Sequence, residues 1–153
     1  MSVLTPIILI PLIFVIIGLM LLFIYFRNLA KVRASQAWSA VQGTVIESRV
    51  SRRQSTDDDG SVSYTYYPEI QYHYQIMGME YEGDKITFGP KSGGTRSKAE
   101  KIIAKYPTRA NVTIYHQPDK PENAVLERSI TKGLLVTGAF FILAGIFISV
   151  AWG

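Results

Sequence analysis

Residues 66–81 read YYPEIQYHYQIMGMEY, and this stretch indicates most clearly the fold class of the middle of the chain. Apolar and polar side chains alternate along it, which is the pattern of a β-strand with one buried face. Four apolar residues share the predicted inner face: Ile70, Tyr72, Tyr74 and Ile76. Met77 and Gly78 then predict a tight turn into a second strand over residues 79–88, so the stretch predicts a β-hairpin.

Further elements are predicted on both sides of this hairpin. Residues 42–53 also alternate well, at Val45 and less strictly at Ile46 and Val50, and predict a strand, followed by a polar loop over 54–63. After the hairpin, Ser97–Glu100 has the spacing of a capping box and begins a short helix. Four residues of this helix have the spacing of one buried face: Ala99, Ile102, Ile103 and Tyr106. Two short strands, at 111–116 and 124–126, complete the region.

Residues 38–130 are therefore predicted to form an antiparallel β domain of about five strands, arranged as a sandwich or an open barrel, with one short helix. The segment Lys31–Ala40 is expected to continue the preceding helix, which places Trp38 at the mouth of the domain. If the helix continues, Trp38 lies about 18 Å from Phe26 at about 1.5 Å per residue. It is therefore expected to be a core residue of the domain and not an anchor at the membrane interface. The predicted fold class is thus α+β.

The two ends of the chain have a different composition from this middle region. All 16 Lys and Arg residues lie between Arg27 and Lys132, and all 12 Asp and Glu residues lie between Glu47 and Glu127. The formal net charge is +4, but it belongs entirely to the middle of the chain. The uncharged ends are strongly apolar, so the basic side chains nearest to them are expected to flank a membrane.

Each apolar end is long enough to form a transmembrane helix. The run 4–26 rises about 31 Å between Pro6 and Phe26 at about 1.5 Å per residue, which matches a hydrocarbon core of about 30 Å. The run 134–152 is about as long as a span needs to be. We therefore predict a first helix within residues 1–37 and a second within 131–153, in contact with the lipid bilayer. A cleaved signal peptide is the alternative for the first run, but it lacks a basic n-region and its core is too long.

Basic residues close to the spans predict their orientation. Arg27, Lys31 and Arg33 follow the first span, and Arg128 and Lys132 precede the second. The positive-inside rule then places the middle domain in the cytoplasm and both termini outside. The chain is expected to be an integral membrane protein located in a bacterial inner membrane or a plasma membrane.

Short motifs in the middle region resemble a known family. They are Gly43-Thr44-Val45, the 67–74 stretch, Gly78-Met79-Glu80-Tyr81 and a closing turn at 115–127. In that turn a tyrosine–x–x–proline–x–x–proline pattern is followed by alanine–valine–leucine–glutamate. Residues 38–128 resemble the DUF3592 family of membrane-associated domains of unknown function. The resemblance implies a membrane habit and a fold, and it implies no catalytic residue.

One loop suggests a site for an anion. The segment Gly89–Thr95 lies between a predicted strand and a predicted helix, as a phosphate-binding loop does. Its residues do not supply the lysine and hydroxyl that a nucleotide site requires, so we do not predict one. Backbone N–H groups at the helix start, together with Lys91 and Arg96, could hold an anion such as a lipid headgroup, although a plain loop is the alternative.

Other candidate clusters are better explained structurally. Asp57–Asp59 lacks the alternating ligands of a calcium loop and is typical of a solvated turn. His73 and His116 have no paired carboxylates, so no metal or acid–base site is predicted. The tyrosines between 64 and 81 are interleaved with acidic rather than basic residues, which favours sheet packing over nucleic-acid binding. The chain has no cysteine, which excludes disulfides and thiolate metal sites.

The second apolar run carries small residues that permit close approach of another helix. Gly138, Gly145 and Ser149 are the candidate helix–helix contacts, and the first span is the obvious partner. No catalytic residue and no cofactor is predicted. The expected function is non-catalytic: a membrane-held interaction domain, as an accessory subunit or assembly factor that binds other membrane-protein subunits or itself. The alternatives are a surface sensor of an anionic ligand or headgroup, and an enzyme with an unrecognised site.

Overall fold

A computed structural model describes residues 4–152, which form two compact units. One unit is a β domain over residues 32–129, and the other is formed by the two ends of the chain. The elements in chain order are α1 Leu4–Ala34, β1 Ser39–Thr56, β2 Val62–Ile76, β3 Met79–Gly83, α2 Arg96–Ile103, β4 Asn111–Gln117, β5 Lys120–Val125 and α3 Gly133–Trp152. A single 3-10 turn at Ser35–Ala37 separates α1 from β1.

The five strands form one antiparallel sheet in the order β3-β2-β1-β4-β5. The sheet curls until the residues after β3 meet those after β5. Three backbone hydrogen bonds join these segments: Leu126 N–H donates to Lys85 at 3.2 Å, Glu127 to Ile86 at 2.7 Å and Phe88 to Ser129 at 2.9 Å. The residue numbers increase in the same direction along the two segments, so the two segments run parallel. The domain is therefore a small barrel, and the sandwich alternative is wrong.

This connectivity, with a helix between β3 and β4, is that of an OB-fold, a five-stranded Greek-key barrel. The fold accommodates many unrelated functions, so it does not by itself assign one.

The barrel interior is filled by the face predicted from the alternating pattern. Ile70, Tyr72 and Tyr74 are at most 1% exposed, and Ile114 from β4 and Val45 from β1 pack against them. The Tyr72 hydroxyl lies 3.0 Å from the carbonyl oxygen of Lys85 and 3.2 Å from that of Ala124, so a buried polar atom finds acceptors on both sides of the closing contact.

A β-bulge explains why the alternation of the first strand is less strict at Ile46 and Val50. The pairing of β1 with β2 shifts register between Val45 and Glu47, and Ile46 at this position is 43% exposed. Before the bulge the odd-numbered Val45 faces the core. After it, even-numbered residues such as Ser48 and Val50 stand opposite Ile70 and Pro68 on the inner side.

Several predicted boundaries are wrong for local physical reasons. The first helix does not continue to residue 40, because α1 ends at Ala34 and Trp38 is already extended. Trp38 is half-buried and packs edge-to-face on Phe88 with ring centroids 5.4 Å apart. The predicted 54–63 loop is shorter, because β1 and β2 remain paired as far as Thr56 and Val62. Regular β3 ends at Gly83 rather than residue 88, and β5 begins at Lys120 rather than 124.

The short helix begins with a different cap from the predicted one. Thr95, not Ser97, is the N-cap, and its side-chain oxygen accepts a hydrogen bond from the Lys98 N–H at 3.4 Å. The helix has the predicted buried face: Ala99 is 2% exposed, and Ile102 and Ile103 pack against the barrel core.

Within the other unit, α1 and α3 pack against each other as an antiparallel pair. Gly18 and Gly138 face each other, whereas Gly145 faces Pro11 and Val15 nearer the start of α1. The Phe14 and Phe141 rings lie 5.5 Å apart in the same seam.

Candidate functional site: the β1–β2 hairpin

The hairpin formed by β1 and β2 is much longer than the rest of the sheet. β1 has 18 residues and β2 has 15, whereas the other strands have five to seven. β4 pairs with β1 only over Ser39–Thr44, and β3 pairs with β2 only over Tyr72–Ile76. The distal half of the hairpin therefore extends beyond both neighbouring strands.

Hydrogen bonds identify which backbone groups of β1 face outward. The Asp57 N–H donates to Ser61 at 2.9 Å, so Asp57 points toward β2. Tyr66 directs both its N–H and its carbonyl away from β1, to Gly94, and Tyr66 stands opposite Arg52. Because H-bonded and non-H-bonded pairs alternate in an antiparallel ladder, the even-numbered residues from Arg52 to Thr56 point away from β2.

The outer edge of β1 is covered only near the barrel. Val45 exchanges two backbone hydrogen bonds with this side, accepting from Arg109 at 2.8 Å and donating to Ala110 at 3.0 Å. The Ser48 hydroxyl lies 3.5 Å from the Ile103 carbonyl at the end of α2. Beyond this point, no strand among residues 4–152 pairs with the outer edge of β1.

The opposite edge of the hairpin is covered by the loop before α2. Gly94 and Tyr66 exchange backbone hydrogen bonds of 2.9 and 3.0 Å. A Cβ added at Gly93 would collide with Thr65 and come within 2.7 Å of the Tyr67 ring. Gly93 of the suggested phosphate loop is thus required for close packing on β2.

The exposed part of the hairpin has an uneven charge distribution. Arg52 lies over the Tyr64 ring at 4.7 Å and Arg53 over the Tyr67 ring at 5.2 Å. Neither arginine has a carboxylate within salt-bridge distance in the described part of the chain. The turn that follows carries three consecutive aspartates, Asp57–Asp59. Cations on the open edge of β1 are thus followed by anions in the turn.

The aspartate turn is ordered by its own hydrogen bonds. Asp59 accepts the Ser61 N–H at 2.9 Å, and this bond lowers the pKa of the Asp59 carboxyl. The Ser61 hydroxyl donates to Asp57 at 3.2 Å, and Gly60 adopts φ 80°. These are the contacts of a solvated turn.

The two residues proposed for anion contact already have carboxylate partners. Lys91 pairs with Asp84 at 2.8 Å, and Arg96 pairs with Glu100 at 2.7 Å. The Thr95 cap also occupies one of the N–H groups at the helix start. An anion at this loop would therefore compete with the protein's own groups.

The two histidines lie in different environments. His73 is exposed on the outer face of β2, opposite Thr44. His116 is 7% exposed on β4, with Nδ1 3.4 Å from the Gln117 carbonyl. His73 lies opposite Thr44 and His116 lies opposite Ser39, at the two ends of the β1 segment that pairs with β4.

The structure brings two of the three predicted helix-contact residues against α1. A Cβ at Gly138 would lie 3.1 Å from the Gly18 carbonyl oxygen, and one at Gly145 would lie 2.9 Å from Pro11 O and from the Val15 side chain. Ser149 is exposed. The sequence prediction missed Gly18, where a Cβ would come within 2.5 Å of Ile142. Its position as the single glycine of the first apolar run was the available signal.

These features define a class of protein in which a five-stranded barrel, antiparallel except at its closing contact, lies in the sequence between two helices long and apolar enough to cross a membrane. Those helical stretches are Leu9–Ala37, of 29 residues, and Gly133–Ala151, of 19 residues. Residues 41–131, more than half of the chain, match the family described as "Domain of unknown function (DUF3592)". The chain belongs to this family, which confirms the resemblance predicted from its motifs. No curated protein matches the sequence.

Proposed function

We propose that this chain is a two-span integral membrane protein whose barrel is a non-catalytic interaction module, serving as an accessory subunit or assembly factor of a larger membrane complex. In this proposal α1 and α3 anchor the barrel on the cytoplasmic side and both termini lie outside. The observation that carries the interaction role is the open edge of β1 between Arg52 and Thr56.

The membrane role is supported by what the helix pair leaves uncovered. Large apolar side chains on α3 face away from the seam, including Phe140 at 65%, Phe147 at 74% and Val150 at 78% exposed. Neither apolar stretch contains a charged residue between Leu9 and Phe26 or between Gly133 and Ala151. Apolar surface of this extent is unfavourable in water and favourable in lipid.

The interaction role is supported by the physical cost of an open strand edge. Unpaired N–H and C=O groups in a row form a template for another strand, and proteins that expose such an edge usually shorten, cover or block it. Here the strand is long, and its exposed residues include Gln54 and Thr56, neither of which blocks pairing. Strand addition at such an edge is a common mode of protein recognition.

The alternative as a sensor of anionic headgroups has less support, because Lys91 and Arg96 each contact a carboxylate of the same chain.

Two measurements on the full-length chain test the proposal. We expect the chain to remain in the membrane pellet after an alkaline carbonate wash and to require detergent for extraction. We also expect mild-detergent complexes to lose mass when residues 54–64 are replaced by a two-residue Asn-Gly turn, which shortens the hairpin and keeps Arg53 opposite its partner Thr65. The matched control is Gln71→Ala, on the exposed outer face of β2. A chain that is soluble without detergent, or a lone monomer in both forms, would contradict the proposal.

A further inference from the structure

The charges at the open edge of β1 are complementary to those of an antiparallel copy of the same segment. Arg52 and Arg53 lie on β1, and Asp57 and Asp58 follow five residues later in the turn that begins after Thr56; these four side chains are exposed. An antiparallel partner with the same sequence would therefore present acids where this chain presents cations. Such an isologous contact closes on itself and forms a dimer with two-fold symmetry.

We propose that β1 pairs with β1 of a second copy of this chain, with the two-fold axis at Ser55. This inference rests on the proposed interaction role and deepens it by naming the partner that the open edge accepts.

The hydrogen-bond pattern restricts the possible registers. Directly opposed residues of an antiparallel pair are either both hydrogen-bonded to each other or both not. On β1 only the even-numbered residues Arg52, Gln54 and Thr56 present their backbone groups outward at this edge. An even residue must then face an even residue, so the two-fold axis must pass through a residue and not between two residues.

Charge selects one of these registers. An axis at Arg52 or Arg53 places an arginine opposite its own copy, which is unfavourable. An axis at Ser55 brings Arg53 to the level of Asp57, directly after the strand, and Arg52 to the level of Asp58 in the turn, so both cations lie near acids of the other copy. An axis at Gln54 or at Thr56 leaves at least one of these two arginines facing an uncharged residue.

The same register makes full use of the backbone. With the axis at Ser55, Gln54 of one copy faces Thr56 of the other, and both present outward N–H and C=O groups. The two-fold symmetry repeats this pair, so these backbone groups form two hydrogen-bonded pairs across the contact. Ser55 itself points its backbone toward β2 and faces its own copy as a non-hydrogen-bonded pair.

Cysteine cross-linking of the full-length chain tests the register directly. A non-hydrogen-bonded pair has Cα atoms about 4.5 Å apart, within the range of about 4.4–6.8 Å that a disulfide accepts. The chain has no native cysteine, so Ser55→Cys introduces the only thiol. With copper phenanthroline as the oxidant, we expect Ser55→Cys to give mostly disulfide-linked dimer, in the membrane and in mild detergent.

Ser63→Cys is the matched control. Ser63 stands opposite Ser55 on β2, and both residues are exposed, but Ser63 lies on the strand away from the proposed contact. We expect it to remain monomeric under the same oxidant. Equal cross-linking of the two variants, or none with Ser55→Cys, would overturn the proposal.

Charge reversal provides an independent test that does not depend on a thiol. Arg52→Asp and Asp58→Arg should each lower the dimer fraction about tenfold, because both copies of the pair become repulsive. An equal mixture of the two variants should restore the dimer, since each of the two symmetry-related contacts then joins one acidic and one basic side chain. Failure of the mixture to associate would contradict the Arg52–Asp58 pairing.

The failure of this inference is distinguishable from failure of the interaction role. If Ser55→Cys does not cross-link while shortening the hairpin still removes mass from the detergent complex, the partner is a different protein and the second-copy proposal is wrong. If shortening the hairpin also has no effect, the interaction role itself is contradicted.

Discussion

The phenol of Tyr74 donates a hydrogen bond of 2.6 Å to the carbonyl oxygen of Pro121. Tyr74 is on β2 and Pro121 on β5, two strands that are not neighbours in the sheet, so the contact crosses the barrel interior. Tyr74 also stacks on Tyr81 from β3, with ring centroids 5.7 Å apart. A single buried side chain thus joins three strands of the barrel.

Replacing Tyr74 with Phe should destabilise the barrel by about 1–2 kcal/mol, because the ring remains and the Pro121 carbonyl loses its donor in the interior. The free energy of unfolding can be followed by near-UV circular dichroism of the full-length chain in mild detergent. Tyr81→Phe is the control, since the Tyr81 hydroxyl contacts only the Met79 sulfur at 3.9 Å among the described residues. Equal effects of the two substitutions would contradict the assigned role of the Tyr74 hydroxyl.

The barrel should lose stability in alkaline solution. Burial raises the pKa of Tyr74 from 10.0 to about 12. Burial also raises the pKa of Tyr72 and of Tyr106, where the hydrogen bond to Glu127 adds to the effect. Unfolded phenols ionise near their ordinary pKa, so the stabilisation is complete below about pH 10 and is lost as pH rises toward 12.

The measurement for this prediction is the unfolding midpoint as a function of pH, with tyrosinate absorbance recorded in parallel. We expect buried phenols to ionise together with unfolding. Complete ionisation of all nine tyrosines while the near-UV signal remains native would contradict the prediction.

The glycine seam between α1 and α3 should tolerate added volume in a definite order. A Cβ would lie 2.5 Å from its nearest neighbour at Gly18, 2.9 Å at Gly145 and 3.1 Å at Gly138. Substitution by Ala should therefore be most harmful at Gly18 and least at Gly138, with costs of about 1–3 kcal/mol from overpacking.

Fluorescence-detected size exclusion after heating can rank these variants by the temperature at which the monodisperse peak disappears. Gly133→Ala is the control, because nothing lies within 4 Å of its Cβ position. A Gly133 variant as unstable as the Gly18 variant would show that helix propensity or expression, and not the seam, determines the result.

Arg128 should not be replaceable by lysine. Its guanidinium lies 4.1 Å from the centre of the Tyr115 ring, and one of its nitrogens donates to the carbonyl oxygens of Gln36 at 3.2 Å and Ser35 at 3.4 Å. Lysine retains the charge but not the planar group that stacks and donates at once. We expect Arg128→Lys and Arg128→Ala each to cost about 1 kcal/mol in the unfolding assay. Lys101→Ala, on the exposed side of α2, is the control and should have little effect.

The sequence predicted the strand with the most regular alternation and failed where the backbone departs from it. The inner face of β2 follows directly from the period of two between Ile70 and Ile76. In β1 the bulge at Ile46 reverses which residues face the core, so no single period fits the whole strand. The distal hairpin was predicted as a loop because its polar residues have no core to face, although they remain paired.

The closing contact of the barrel could not be predicted from the pattern. Residues 85–88 and 126–129 meet through three backbone hydrogen bonds that leave no periodic trace in the side chains. The sequence predicts the helix cap at Ser97, because a glutamate follows three residues later. In the structure that glutamate, Glu100, pairs with Arg96, and Thr95 is the cap.

The open edge of β1 also could not be predicted from the sequence. Its existence depends on how far β4 extends along β1, and that length is set by tertiary pairing. The sequence does show Arg52-Arg53 followed by Asp57–Asp59, but these charges gain meaning only when the backbone groups beside them are known to be unpaired.

The most direct test of the membrane account is the accessibility of single cysteines on either side of the helices. Ser2→Cys precedes α1, and Lys120→Cys is exposed at the first position of β5. In intact cells we expect a membrane-impermeant maleimide to label the cysteine at position 2, and to label the one at position 120 only after lysis. Labelling of both positions from the same side would contradict a two-span protein with its barrel on one face of the membrane.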